Sequence, residues 1–265
     1  MDWLQALILG LIQGLTEFLP VSSSGHFIIG KEILGVEVAD NVTFVVLVHA
    51  ATVLSTITVF RKEIWQLLTR FFKFQWNEET QYIVKICISM IPVLIVGLFF
   101  KDTVEGFFGE GLLLVGIMLI VTAILLFLSQ YIKFEQRKEV GFGSAFAIGC
   151  AQAVAVLPGL SRSGTTIATG LLLGVKKESV AQFSFLMVLV PILGEAFLDL
   201  VGGDFAAAAS GIPASAMITG FLAAYLSGLF ACRVMIELVK RAKLTWFAVY
   251  CALAGAASII FTIIR

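Results

Sequence analysis

The sequence predicts an all-α integral membrane protein built as an inverted repeat, each half a re-entrant helix hairpin plus three transmembrane helices, giving six spans and two re-entrant hairpins. Three observations predict it. Hydrophobic residues fill 59% of the 265 positions and charged residues only 14%, with a mean hydropathy of +1.01, far outside the usual range of soluble domains. Several segments are apolar over the roughly 20 residues that a bilayer crossing needs. The chain also aligns with itself at a fixed offset of 139 positions.

The first stretch, residues 2–36, is too polar in its middle to be an ordinary span, and a Pro/Gly/Ser cluster breaks it. A cleaved signal peptide would need a basic start and a short apolar run. Here Met1-Asp2-Trp3 opens a segment carrying Gln13 and Glu17, so this segment is expected to stay in the fold. Spans are predicted at 43–60, 81–100 and 111–131; a second broken stretch follows at 141–175, then spans at 179–199, 212–235 and 244–264. Peptide groups left unsatisfied in hydrocarbon cost several kcal/mol, so polar breaks are tolerated only where protein or a water-filled cavity surrounds them. The two hairpin tips are therefore expected to face each other.

At the offset of 139, Gly10 meets Gly149, Gln13 meets Gln152, Ser22 meets Ser161, Ser24 meets Ser163 and Gly25 meets Gly164, without a gap. The match continues through Leu34-Gly35-Val36 onto Leu173-Gly174-Val175, and through Phe44 and Leu47 onto Phe183 and Leu186. Residues 1–265 are read as one membrane domain with repeat halves 1–138 and 139–265. An odd number of crossings per half makes the second copy enter from the opposite side, and inverted repeats place their binding site where the broken helices meet.

Lys and Arg accumulate on the cytoplasmic side of membrane proteins. One set of connections holds Arg61, Lys62, Arg70, Lys73, Lys133, Arg137, Lys138, Lys176, Lys177, Arg233, Lys240, Arg241 and Lys243 and is predicted to be cytoplasmic. The opposite set, with Asp2, Lys31, Glu32, Glu37, Asp40, Lys101, Asp102, Glu105, Glu110, Asp199, Asp204 and Arg265, is mostly acidic, which puts both termini outside. A formal net charge of zero argues against a nucleic-acid footprint. The four cysteines, Cys87, Cys150, Cys232 and Cys251, form no CxxC pair and fall in apolar runs, as packing residues do.

The chemistry gathers at the breaks. The first runs from Gln13 through Glu17, Pro20, Ser22, Ser23, Ser24 and Gly25 to His26; the second runs Pro158-Gly159-Leu160-Ser161-Arg162-Ser163-Gly164-Thr165-Thr166. In each, a helix is expected to end near proline, serines to cap, and a new helix to start near glycine. Two helix N-termini then point inward, each with unpaired N–H groups and partial positive charge that suit an anion. Arg162 adds a planar fork for phosphate oxygens. The missing Gly-Lys-Ser/Thr ending excludes a Walker loop.

Ionisable residues at membrane depth are costly, which marks Glu17 and Arg162 as functional candidates; a structural ion pair between them is the plainer alternative. Gln13, one turn before Glu17 on the same face, is placed to orient the carboxylate or a metal-bound water. His26 is a candidate proton carrier. His49 has no motif around it, reads equally as a bundle hydrogen bonder or as a site residue, and is left off the candidate list. Ser22, Ser23 and Ser24 are equivalent by spacing, since any could cap a helix and one could attack phosphorus with Glu17 or His26 as base.

At these breaks the sequence resembles the BacA-type undecaprenyl-diphosphate phosphatases. Their (Glu/Gln)-x-x-x-Glu segment corresponds to Gln13 to Glu17, their Ser-x-Gly-His stretch to Ser24-Gly25-His26, and their Pro-Gly-x-Ser-Arg-Ser-x-x-Thr segment to Pro158 to Thr166. The resemblance spans essentially the whole chain. It implies removal of the terminal phosphate from the C55 isoprenyl diphosphate with a divalent cation, Mg²⁺ or Ca²⁺. The product would be the monophosphate carrier of peptidoglycan synthesis, and overproduction would confer bacitracin resistance. It further implies a multi-pass protein of the bacterial cell (inner) membrane whose site opens to the outer face. A homodimer is compatible with that plan.

Carried over, the resemblance makes Glu17 the essential carboxylate, as base or metal ligand, Ser23 the favoured nucleophile and His26 its acid/base partner. Arg162 joins them in the catalytic set, and Ser22, Ser24, Ser161, Ser163 and Thr166 hold phosphate. Gln13 stands where some members carry a first Glu, so the metal pair is Glu17 with Gln13 rather than two carboxylates. Two rival readings have other sequence support. An inverted-repeat transporter or flippase for a lipid phosphate shares the architecture. A phosphatidic-acid-type lipid phosphatase shares Ser-Gly-His and Ser-Arg elements, but its later histidine is missing, since the only two histidines, His26 and His49, both precede Arg162.

Overall fold

A computed structural model describes residues 1–36, 42–108, 111–132, 138–194, 212–241 and 244–264. The regular structure there is helical: α1 (Trp3–Phe18), α2 (Ser23–Leu34), α3 (Val42–Val59), α4 (Arg61–Phe71), α5 (Glu78–Phe99), α6 (Lys101–Phe108), α7 (Gly111–Tyr131), α8 (Phe142–Val154), α9 (Arg162–Leu172), α10 (Lys177–Met187), α11 (Ala214–Arg241) and α12 (Thr245–Ile264). Among the described residues five helical stretches are long and apolar enough to cross a membrane: α5, α7, Lys177–Gly194, α11 and α12. A sixth, α3, qualifies together with α4, from which it is bent by 75°. The protein is thus all-helical and multi-pass. Of the loop charges, Glu37, Asp40, Glu110, Lys133, Arg137, Asp199, Asp204, Lys243 and Arg265 lie outside the described residues.

Two features extend the expected layout. Residues 61–73, expected as a connection, are mostly α4, where Ile64 and Leu67 recur at helical spacing and pack on the core. Helix α11 continues past the expected end at 235 to Arg241; Arg233, counted among the connection charges, sits well inside it, exposed. A long basic side chain keeps its charge wet while its stem covers apolar surface, so the helix need not end there.

Each broken stretch folds back on itself. Asp2 caps α1 by accepting from the Gln5 N–H at 2.7 Å, while the Gln5 carboxamide takes the Asp2 N–H in return. Gln5 Nε2 also donates to the Leu34 carbonyl at 3.2 Å, so the end of α2 lies beside the start of α1. Gly35, at φ 62°, closes α2 in the left-handed region that glycine adopts without penalty. The second stretch is tied at its base by Lys138 N–H to Gly174 O at 3.3 Å and Lys176 N–H to Lys138 O at 2.9 Å. Beside them Lys176 Nζ meets Glu139 Oε1 at 2.7 Å, and that ammonium holds the Glu139 carboxyl below its ordinary range.

Small residues let the helices approach closely, as they must where lipid removes the hydrophobic drive between helices. A methyl group at Gly10 would lie 2.4 Å from the Gly220 carbonyl oxygen, and one at Gly14 would lie 2.5 Å from that of Ala224, so α1 is laid directly on α11. At the repeat-related position Gly149, α8 is laid in the same way on Ser89 of α5, 2.3 Å from its carbonyl oxygen. Helices α7 and α12 meet through Gly116 and Gly255. These contacts bring the two breaks together inside the bundle.

Candidate active site

The two breaks carry matching caps. Ser22 caps α2 by accepting from the Gly25 N–H at 3.2 Å, and Ser161 caps α9 by accepting from the Gly164 N–H at 3.1 Å. Such caps each stabilise a helix end by about 1 kcal/mol. In both, the capping hydroxyl neighbours the serine two residues on, Ser24 at 3.3 Å and Ser163 at 3.4 Å. The breaks touch: a methyl on Gly25 would be 3.1 Å from the Gly159 Cα, and Ser163 Oγ donates to the Leu19 carbonyl at 3.1 Å. Gly159 needs its glycine twice, for a φ of 92° and because a side chain would meet the Val115 carbonyl at 2.6 Å.

Glu17 is the hub. Its Oε1 takes a hydrogen bond from Arg162 Nη2 at 2.9 Å, across 145 residues of sequence. Its Oε2 takes one from Ser23 Oγ at 2.6 Å and one from Gln13 Nε2 at 2.9 Å. The Glu17 side chain is 7% exposed and that of Arg162 28%, so the carboxylate is shielded while part of the guanidinium reaches open space. Ser22, immediately before Ser23, has a φ of 69°, a conformation that costs a non-glycine residue energy and that surrounding contacts must enforce. Gln13 Oε1 is buried with no hydrogen-bond partner.

Of the residues singled out in the sequence, Gln13, Glu17, Ser23 and Arg162 converge on one carboxylate. Ser22 and Ser161 are buried caps, Ser24 sits beside the first cap, and Ser163 lies at the seam of the two breaks. Thr166 is fully buried one turn below Arg162, sharing a 2.6 Å contact with Ser184 Oγ and donating to the Arg162 carbonyl at 2.8 Å. His26 follows Ser23 by one turn on α2, with Nδ1 2.8 Å from the Ser22 carbonyl and Nε2 2.7 Å from the Tyr250 hydroxyl.

A cavity opens beside the Glu17–Arg162 pair. Thr52, Thr56, Ser163 and Ser184 give it polar wall, and Phe18, Val53, Phe185, Val188, Leu189 and Ile192 give it an apolar one. His49, left aside in the sequence, lies one turn before Thr52 on α3 and within electrostatic range of the Glu17 carboxylate. Its signal was the spacing of polar residues at 49, 52 and 56, which share one face of the span. Tyr250 had no local signal.

Among the described residues no group of three or more His, Cys, Asp or Glu is placed to hold a metal ion. The residues present could hold a cation only jointly with a ligand, through the Glu17 carboxylate and the unpartnered Gln13 Oε1. Magnesium is commonly held by one or two carboxylates together with substrate phosphates rather than by an all-protein cage.

Comparison with known proteins shows the family to which the chain belongs. The family model described as bacitracin resistance protein BacA matches residues 6–257. A protein of Parabacteroides distasonis named undecaprenyl-diphosphatase is 55% identical over 269 residues, covering 100% of both chains. One of the same name from Bacteroides thetaiotaomicron is 57% identical over 264 residues, covering 98% of this chain and 99% of its own. A more distant one, from Methanobrevibacter smithii, is 37% identical over 274 residues, covering 96% of each.

Proposed function

Because the chain belongs to the BacA family of bacitracin resistance proteins, we propose that it hydrolyses undecaprenyl diphosphate to undecaprenyl phosphate and inorganic phosphate. This recycles the lipid carrier of peptidoglycan synthesis. The observation that carries the chemistry is the 2.6 Å hydrogen bond from Ser23 Oγ to the buried Glu17 carboxylate, which Arg162 and Gln13 hold in place. A hydroxyl on a carboxylate is a nucleophile beside its base.

Ser23 Oγ attacks the terminal phosphorus as its proton passes to Glu17 Oε2. The bond to the bridging oxygen breaks and the lipid monophosphate leaves. Water then attacks the phosphoserine, phosphate is released, and Ser23 recovers a proton from Glu17. Arg162 uses one N–H on Glu17 and turns the rest of its fork to phosphate oxygens, where fixed donors stabilise transferring phosphoryl groups most. The N-termini of α2 and α9, with Ser24 and Ser163, add partial positive charge; Ser22, Ser161 and Thr166 keep those turns in shape. His26, one turn after Ser23 on α2, is the acid/base partner that takes a proton from the attacking water and returns it to the departing phosphate.

Glu17 and Gln13 would hold the divalent cation, which when bound neutralises charge on the diphosphate. The apolar wall from Phe18 to Ile192 suits the first isoprene units of the tail, which then passes laterally into the bilayer. We read the two broken stretches as re-entrant hairpins of an inverted repeat, supported by the 139-residue offset and by matching caps at Ser22 and Ser161. Membership of the family implies that the site opens to the outer face of the cell membrane. A transporter has no use for a hydroxyl held against a carboxylate, and no observation favours that alternative.

The test is phosphate release from farnesyl or undecaprenyl diphosphate by the detergent-purified protein, with Mg²⁺, with Ca²⁺ and with EDTA, beside Arg162→Ala. Cation-dependent release that the folded variant lacks is expected. Folded wild-type protein that releases none would overturn the proposal.

A further inference from the structure

We infer that Tyr250 is a positioning residue for His26, holding the imidazole in one orientation against the strained turn that presents Ser23. The inference rests on the reading of His26 as the acid/base partner. A carbonyl oxygen only accepts, so the 2.8 Å contact of His26 Nδ1 with Ser22 O places the hydrogen on Nδ1. Nε2 then carries the lone pair, and the Tyr250 hydroxyl, 2.7 Å away, donates to it. The rings also stack, with centroids 5.5 Å apart and planes 14° from parallel, so ring packing and hydrogen bond fix the same orientation.

The chain of contacts ends where it matters. The Ser22 carbonyl belongs to the residue at φ 69°, one position before the hydroxyl on Glu17. The next residue of α12, Cys251, is fully buried and directs its thiol at the Pro20 carbonyl at 3.6 Å, so two successive residues of the last helix grip the first break. When Nε2 takes a proton from the attacking water, its N–H donates to the phenol oxygen; the proton returns to the departing phosphate and the tyrosine stays neutral throughout. Outer partners that fix a histidine's orientation commonly change function by about ten- to a hundredfold when removed, a scale known from metal sites.

Tyr250→Phe keeps the ring stack and deletes only the hydroxyl. Turnover of farnesyl diphosphate in detergent is expected to fall about tenfold, with KM changed less than about twofold, since the lost interaction serves the reacting state. In a His26→Ala background the same substitution should cause no further loss, because coupled residues are not additive. Tyr250→Gln, whose amide can donate to Nε2, should recover part of the activity and gives a second reading if the phenylalanine variant folds poorly by thermal unfolding. Wild-type turnover in folded Tyr250→Phe, or additive losses in the double variant, would overturn the inference. An inactive wild-type protein would remove the phosphatase reading along with it, whereas an inactive His26→Ala beside a fully active Tyr250→Phe removes this inference alone.

Discussion

Glu17 carries three hydrogen bonds to side chains with three different tasks, and substitutions should separate them. Glu17→Gln keeps the shape but removes the proton acceptor for Ser23; turnover should fall roughly a hundred- to ten-thousandfold, the range of a lost general base, in a phosphate-release assay. Arg162→Lys keeps the charge but loses the fork, so it is expected to be as inactive as Arg162→Ala in the same assay. Gln13→Glu would put a second carboxylate one turn from the first, which under the proposed reading gives the cation two carboxylates. Its expected effect is a lower Mg²⁺ concentration for half-maximal activity, read from a cation titration.

At the scale of elements, glycine contacts set where the site's parts lie. Gly14→Leu would drive a branched side chain into the Ala224 carbonyl and the Ser227 hydroxyl, prying α1 from α11 and moving Glu17 with it. Overpacking of this kind typically costs about 1–3 kcal/mol, occasionally more, so lower thermal stability in detergent and loss of turnover are expected together. Gly159→Ala tests the second break: a left-handed φ and a 2.6 Å approach to Val115 both oppose a side chain. Gly97, with nothing within 4 Å of an added methyl, is the control, and its alanine variant should unfold like the wild type.

For the whole molecule, the inverted arrangement predicts that single cysteines at position 37 and at position 177 react with an impermeant thiol reagent from opposite sides of the membrane. Labelling of both from one side would remove the inversion while leaving the Glu17 cluster untouched. Much of this plan was legible in the chain. Length and hydropathy mark the spans, proline and glycine mark the breaks, and serines at 22 and 161 mark the caps, because each is a rule acting within one turn of helix. The helix at Arg61–Phe71 and the extension of α11 were less legible, since basic residues read as a loop while their stems remain compatible with helix.

What the sequence by itself determined is therefore local and repeated: an all-helical membrane chain, two broken stretches 139 residues apart, and the polar residues at each break. Only the tertiary structure decided who meets whom. It set Arg162 on Glu17 across 145 residues, chose Ser23 rather than its neighbours for the carboxylate, and turned His26 to Tyr250 across 224. It brought His49 into electrostatic range of Glu17 although no motif surrounds it. The physical reason is range. Capping and periodicity act over three or four residues, whereas these pairings depend on glycine-mediated helix packing, and no local pattern states which helix will lie against which.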